Sequence, residues 1–271
     1  MSVGYDHVDT AALKAAGVRL GYTPGVLADA TAELAIALLL ATSRKIVQSS
    51  KTVPSGEWKA WSPFWMCGKG ILDSTVGIIG LGTIGKKIAE RIAPFRPSRI
   101  LYTGSGKNTC SVPLFTLGSK LYSAEYAHLD TLLSESDFVV VICVLNESTR
   151  HLINEDTLSK MKPGSILINV SRGDVVDQSA LYNALSKSSK REGIAAAGLD
   201  VCTPEPLPID SPLLQLPNCL IIPHLGSATV ETRKFVSLSL ITPLHSAMVD
   251  ICIRNIIAGL RDQEMPHEVN L

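Results

Sequence analysis

The 271-residue sequence lacks several signals that would narrow its class at once. Its six cysteines (Cys67, Cys110, Cys143, Cys202, Cys219 and Cys252) include no Cys-x-x-Cys pair and sit among apolar or loop-like neighbours. No metal-binding or disulfide framework is expected from that spacing, and a reduced, cytoplasmic protein is the reading it favours. No sign of charge dominates: Lys+Arg and Asp+Glu are 25 each, so neither nucleic acid nor an anionic membrane is an expected partner. Long hydrophobic runs are missing too. The most apolar stretch, "AELAIALLLAT" from Ala32 to Thr42, is shorter than the roughly 20 residues that span a bilayer, and it follows "DAT" as a core helix follows its cap. The start "MSVGYDHVD" lacks the basic and apolar regions of a secretory signal, and "HEVNL" is no peroxisomal address. There is no internal repeat. With 46% hydrophobic and only 18% charged residues, the chain suits one large or two moderate globular domains.

What is present is an alternation of elements. "DTAALKAAGV" from Asp9 has helical spacing and ends at Gly17; "RLGYTPG" reads as a strand stopped by Pro24 and Gly25; a second helix runs from Asp29 to Val47. The loop "VPSGEWKAWSPFWMCGKG" groups Trp58, Trp61 and Trp65, which suggests an interface or a lid. Strands "TVGII", "RILYTG", "DFVVVICVL", "SILINVS", "AAAGLDV" and "NCLIIPHLGS" then follow, separated by helices "KKIAERI", "LDTLLSES", "NEDTLSKM" and "QSALYNALSKS" and by a variable loop, "TCSVPLFTLGSKLYSAEY". Strands apolar on both faces, alternating with helices, indicate a parallel sheet covered on two sides.

"GLGTIG" places Gly80, Gly82 and Gly85 in GxGxxG spacing, with Thr83 and Ile84 completing the turn. It follows a strand and opens a helix, as a dinucleotide pyrophosphate site requires. The first glycine permits the tight turn, the second lets backbone approach the pyrophosphate, and the third lets helix pack on strand. The expected fold is therefore α/β, a Rossmann-type doubly wound parallel sheet. An acidic residue beyond the second strand would grip the ribose hydroxyls of NAD, but "LYTGSGKN" offers Gly104, Ser105, Gly106 and Lys107 instead. Ser105 and Lys107 suit a 2'-phosphate, so NADP(H) is expected in preference to NAD(H); the alternative is a plain polar turn.

Open α/β sheets bind ligands at the carboxyl ends of their strands. Arg172 after "LINVS", Glu205 after "GLDV" and His224 after "LIIP" all fall there. Singly, each has another explanation: an Arg172–Glu205 structural ion pair, or a hydrogen-bonded strand-end histidine. Jointly, their placement on one rim of the sheet is harder to dismiss.

"GLGTIG", "LNESTRHLIN", "MKPGSILINVSRGDVVD", "AAAGLDVCTPEPLP" and "IIPHLGSAT" together resemble the D-isomer-specific 2-hydroxyacid dehydrogenases. "SVGYDHVD", "GVRLGYTPGVLADATAELAIALLLATSR" and "WKAWSPFWMCGKGI" are similar to the glyoxylate and hydroxypyruvate reductases among them. The resemblance implies that Arg172, Glu205 and His224 are the catalytic set. It further implies that Asp200 holds the nicotinamide carboxamide, that Gly226 adds to the cofactor site, and that backbone at Ser2, Val3 and Gly4 receives the substrate carboxylate. It implies a homodimer, whose arm at 43–73 carries Trp61 either into the partner's pocket or simply into the interface. A flavodoxin-like substrate domain is implied only in part: residues 1–21 and 234–271 match its remnants, 22–233 match the NAD(P)-binding domain, and the family's longer N-terminal lobe has no counterpart.

Exposed apolar surface is an expected consequence. "SKSSKREG" and "ITPLHSAMVDICI", the latter broken by Pro243, look longer than the pattern. The expected activity is NADPH-dependent reduction of glyoxylate and hydroxypyruvate. One alternative is a catalytically impaired dinucleotide-binding, dimerising module; another is an NAD-dependent oxidase of a larger hydroxy acid such as phosphoglycerate, against which the missing acidic residue weighs.

Overall fold

The computed structural model describes residues 4–104, 112–117, 120–187, 193–233 and 247–271. Ser2, Val3, Ser105, Lys107, Pro243 and most of "SKSSKREG" lie outside them. The chain forms two compact units, Met1–Thr31 with Gly226–Leu271, and Ala32–Leu225. The sequence-based boundaries at 21/22 and 233/234 both fall inside the first unit.

In the first unit, helix α1 (Thr10–Ala15) is capped by the Asp9 carboxylate, which accepts from the Ala12 N–H at 2.9 Å. Gly17, at φ 64°, follows its end in the left-handed conformation glycine favours. The strand expected at "RLGYTPG" does not form; it is reduced to one antiparallel bridge, Gly21 to Glu268. Backbone bonds from the Tyr22 N–H to the His267 carbonyl (3.1 Å) and from the Val269 N–H to the Leu20 carbonyl (2.7 Å) flank that bridge, and Asn255 adds side-chain bonds to the carbonyls of Tyr22 (3.1 Å) and His267 (3.2 Å).

Helix α2 (Ala28–Ser43) begins in the first unit and continues into the second. Asp29 lies in its first turn rather than at its cap. Ala32, Ala35, Leu38 and Leu39 are buried, as a core helix requires. The single helix expected from Asp29 to Val47 is instead two, since α3 spans Ile46–Lys51 after a break at Lys45, φ 54°. The returning loop causes the break: Lys69 N–H donates to the Ser43 carbonyl at 3.0 Å, and Gly68 packs so closely on that carbonyl that a Cβ would collide with it.

The second unit is built on β1 (Thr75–Ile79), α4 (Thr83–Ile92), β2 (Arg99–Thr103), β3 (Val112–Leu117), β4 (Lys120–Tyr126), α5 (Leu129–Glu135) and β5 (Phe138–Val141). It continues through α6 (Glu155–Lys160), β6 (Ile166–Asn169), α7 (Gln178–Ser186), β7 (Ala196–Leu199) and β8 (Cys219–Ile221). The eight strands lie in the order β3-β4-β2-β1-β5-β6-β7-β8. All neighbouring pairs are parallel except β3 with β4. The fold is therefore the expected Rossmann-type α/β sheet.

The variable loop needs correction, because it supplies β3 and β4. Its pattern hides them: Pro113 removes a donor and sits at a register shift, which a sheet tolerates only on an outer strand such as β3. Strand alternation sorts the core. Val139, Val141 and Leu167 pack with Leu132, Leu133 and Leu181 on one face; Phe138, Val140 and Ile168 pack with Leu38, Leu39 and Ile88 on the other. Each buried side chain contributes roughly 1.5–3 kcal/mol. In the first unit the chain closes with α8 (Val230–Arg233) and α9 (Ala247–Leu260). Among the described residues no helix is long and apolar enough to cross a membrane.

Candidate active site at the strand ends

The glycine turn joins the end of β1 to the start of α4. Gly80, at φ 105°, donates its N–H to the Thr103 carbonyl of β2 at 2.8 Å, and a Cβ there would meet the Cys143 nitrogen at 2.8 Å. A Cβ on Gly85 would strike the Gly80 carbonyl, so the helix can pack on the turn only because position 85 is bare. Gly82 differs from both. A Cβ there would meet nothing within 4 Å, and Gly82 caps α4 with no side-chain hydrogen bond. With no acidic residue in that first turn, α4 supplies no counter-charge to its own positive end. These features fit a dinucleotide pyrophosphate.

Three further candidates occupy the carboxyl ends of β6, β7 and β8, whose last residues Asn169, Leu199 and Ile221 are in register. Glu205 and His224 are brought together: His224 Nδ1 and Glu205 Oε2 are 2.8 Å apart. The other Glu205 oxygen accepts from the Cys202 N–H at 3.1 Å. With Nδ1 bonded to a carboxylate, Nε2 is the ring nitrogen suited to proton exchange. His224 itself has φ 51°, left-handed backbone that is uncommon outside glycine. It is held there by donation of its N–H to the Asp200 carbonyl at 2.9 Å, while Leu225 N–H donates to Asp200 Oδ1 at 2.6 Å. Asp200 is buried, and its carboxylate shapes the turn that carries the histidine.

Arg172 is partly buried, and its Nη1 donates to the Ser171 carbonyl at 2.8 Å. Asp174, two residues on, has Arg150 as its ion-pair partner; the Thr203 hydroxyl first and Arg150 second hold its carboxyl below the usual range. Sequence reasoning missed Asn169, a fully buried amide whose Oδ1 accepts from the Ser171 N–H (3.0 Å) and hydroxyl (2.8 Å) and whose Nδ2 donates to the Arg172 carbonyl (2.9 Å). The available signal was a lone amide closing an apolar strand, which must find partners. Nearby thiols are passive. Burial pushes Cys143 up to about 11, and burial with Glu205 and Asp200 pushes Cys202 up to about 11, so neither offers a thiolate nucleophile.

Gly4 and Gly226 belong to the first unit, where the Gly226 carbonyl accepts from the Thr31 hydroxyl at 3.0 Å. Trp61 lies in the loop after α3 and is 86% exposed, beside the exposed Trp58 and Phe64.

Residues 36–226 match the family model described as D-isomer specific 2-hydroxyacid dehydrogenase, NAD binding domain. The chain belongs to this family. It is 48% identical over 271 residues, 100% of this chain and 76% of the relative, to the glyoxylate reductase/hydroxypyruvate reductase of Mus musculus. Among solved structures it resembles the TT0316 protein of Thermus thermophilus, with a TM-score of 0.82 and 37% identity over 99% of this chain and 77% of that one. It also resembles an NADPH-dependent glyoxylate/hydroxypyruvate reductase from Sinorhizobium meliloti in complex with NADP and malonate, with a TM-score of 0.78 and 33% identity over 99% of this chain and 75% of that one. As a 2-hydroxyacid dehydrogenase family member, the chain carries the nicotinamide-dinucleotide domain in the segment that holds the glycine turn and the Glu205–His224 pair.

Proposed function

We propose that the chain reduces small 2-keto acids, glyoxylate to glycolate and hydroxypyruvate to D-glycerate, with NADPH. The observation that carries the reading is the Glu205–His224 hydrogen bond of 2.8 Å, on the same rim of the sheet as Arg172 and the glycine turn. NADPH, held by the N–H groups at the start of α4 and by Asp200, would supply a hydride for the keto carbon. Arg172 receives the substrate carboxylate and polarises the carbonyl. His224 gives a proton from Nε2 to the carbonyl oxygen as negative charge develops there, and Glu205 stabilises the resulting ring orientation. The backbone N–H groups at the start of α4 hold the pyrophosphate, and Asp200 the nicotinamide carboxamide.

NADPH preference is supported by Ser105 and Lys107 and by the absence of a carboxylate from Gly104 to Lys107. A homodimer is part of the same reading, supported by the exposed Trp58, Trp61 and Phe64 of the arm, and a cytoplasmic location is supported by six cysteines without a Cys-x-x-Cys pair. The deciding experiment follows NADPH and NADH oxidation with glyoxylate and with hydroxypyruvate, alongside NADPH binding by fluorescence. Turnover faster with NADPH is expected; equal or faster turnover with NADH would remove the cofactor preference.

A second reading, a dinucleotide-binding module with impaired catalysis, is favoured by one observation. Ile253, Ile256, Ile257 and Leu260 of α9 form an exposed apolar stripe at helical spacing, surface of the kind a dimerising module presents. NADPH binding without turnover would select this reading.

A further inference from the structure

The proposed chemistry leaves unused the buried amide at the end of β6. Asn169 closes β6, is fully buried, and spends its whole side chain on one turn: Oδ1 accepts twice from Ser171, and Nδ2 donates to the Arg172 carbonyl at 2.9 Å. Its backbone carbonyl accepts from the Asp200 N–H at 2.9 Å, and the Asp200 carbonyl accepts from the His224 N–H at 2.9 Å. A continuous hydrogen-bonded path therefore links Arg172 to His224 across three strand ends. Gly173 packs directly on the Cys202 carbonyl, which blocks the turn from relaxing toward β7.

We infer that Asn169 is a positioning residue that fixes the direction of the Arg172 guanidinium by holding the backbone of its turn; the inference rests on the reading of Arg172 as the receiver of the substrate carboxylate. Asn169 touches no substrate and acts only through Ser171 and Arg172. The position demands both an acceptor and a donor within one small buried group, and a carboxamide supplies both. An aspartate of the same shape keeps the acceptor for Ser171 but sets a second oxygen against the Arg172 carbonyl, so the turn loses its third tie. An enzyme site gains from such support because small misplacements of a binding group are amplified in rate.

The test compares Asn169→Asp, Asn169→Ala and Ser171→Ala with the unaltered chain by steady-state kinetics with glyoxylate and NADPH, NADPH binding, and calorimetric titration of oxalate into the NADPH complex. Asn169→Asp and Asn169→Ala are expected to raise KM for glyoxylate and the oxalate Kd about tenfold to a hundredfold, with the NADPH Kd unchanged. Ser171→Ala, which removes one of the three bonds, should give a smaller rise in the same direction. If Asn169→Ala fails to fold, the other two variants carry the test. Parallel losses of NADPH and oxalate affinity would mark a merely structural residue and overturn the inference, as would unaltered oxalate affinity in Asn169→Asp. Should the unaltered chain bind oxalate but turn over no glyoxylate, the reductase reading falls, while weaker oxalate binding in the variants still upholds the role of Asn169. A chain that binds no oxalate at all overturns both.

Discussion

His224 shows what a single residue must give up to occupy a working position. Its φ of 51° is backbone that a side-chain-bearing residue adopts at a cost of order 1 kcal/mol or more, and the structure holds it there with two hydrogen bonds to Asp200 at this residue and the next. The strain directs the ring to Glu205. If His224 is the proton donor, His224→Gln lowers kcat on the order of 100- to 10,000-fold and leaves the NADPH Kd near its original value; stopped-flow and binding measurements check this, and unchanged turnover would refute the role. Arg172 and Glu205, which could have formed an ion pair with each other, have other partners: the Glu205 oxygens go to His224 and Cys202, and Arg172 Nη1 to Ser171.

At the scale of an element, α4 and its glycine turn separate packing from binding. Gly85 is required because any side chain would strike the Gly80 carbonyl, whereas Gly82 faces open space with ordinary backbone, φ −76°. Gly85→Ala is therefore expected to destabilise the chain by about 1–3 kcal/mol, seen as a lower midpoint in urea. Gly82→Ala should leave that midpoint unchanged and weaken NADPH about tenfold, seen by fluorescence titration. A Gly82→Ala chain with full NADPH affinity would remove α4 from the cofactor site. The arm after α2 follows a related rule. Its helix stops at Ser43 because a segment from farther along the chain, Gly68 and Lys69, claims the last carbonyl.

At the scale of the whole molecule, Asp137 clamps the amino ends of β1, β5 and β6. Burial opposes ionisation of its carboxyl, but hydrogen bonds from Lys162 and Lys69 and from the Thr75 N–H outweigh it and hold the group down at about 2. A carboxyl depressed on folding adds stability above its unfolded value of 3.8, and that stability is lost as pH falls from there toward about 2. Asp137→Asn should thus lose about 2 kcal/mol at neutral pH, and the gap between variant and parent should narrow across that acid window in urea titrations. A gap independent of pH would show that the clamp works by shape alone. On α9, the exposed stripe predicts association: Ile256→Lys with Leu260→Lys should leave stability within about 0.5 kcal/mol and reduce light scattering, whereas a large stability loss would mean the face is covered.

Most of the sheet was legible by itself, because strands buried on both faces, such as "FVVV" and "ILIN", must be apolar throughout and announce themselves. The glycine turn was legible for a similar reason: bare Cα positions at fixed spacing have few other uses. What escaped was whatever depended on distant partners. β3 and β4 exist because β2 supplies an open ladder beside them, and "RLGYTPG" keeps a single bridge, to Glu268, rather than a strand. Local sequence thus determined the fold class and the identity of the rim residues Arg172, Glu205 and His224. Only tertiary structure decided that Glu205 pairs with His224 and that Asn169 and Asp200 hold the turns, since hydrogen bonds between residues tens of positions apart are set by which strands become neighbours.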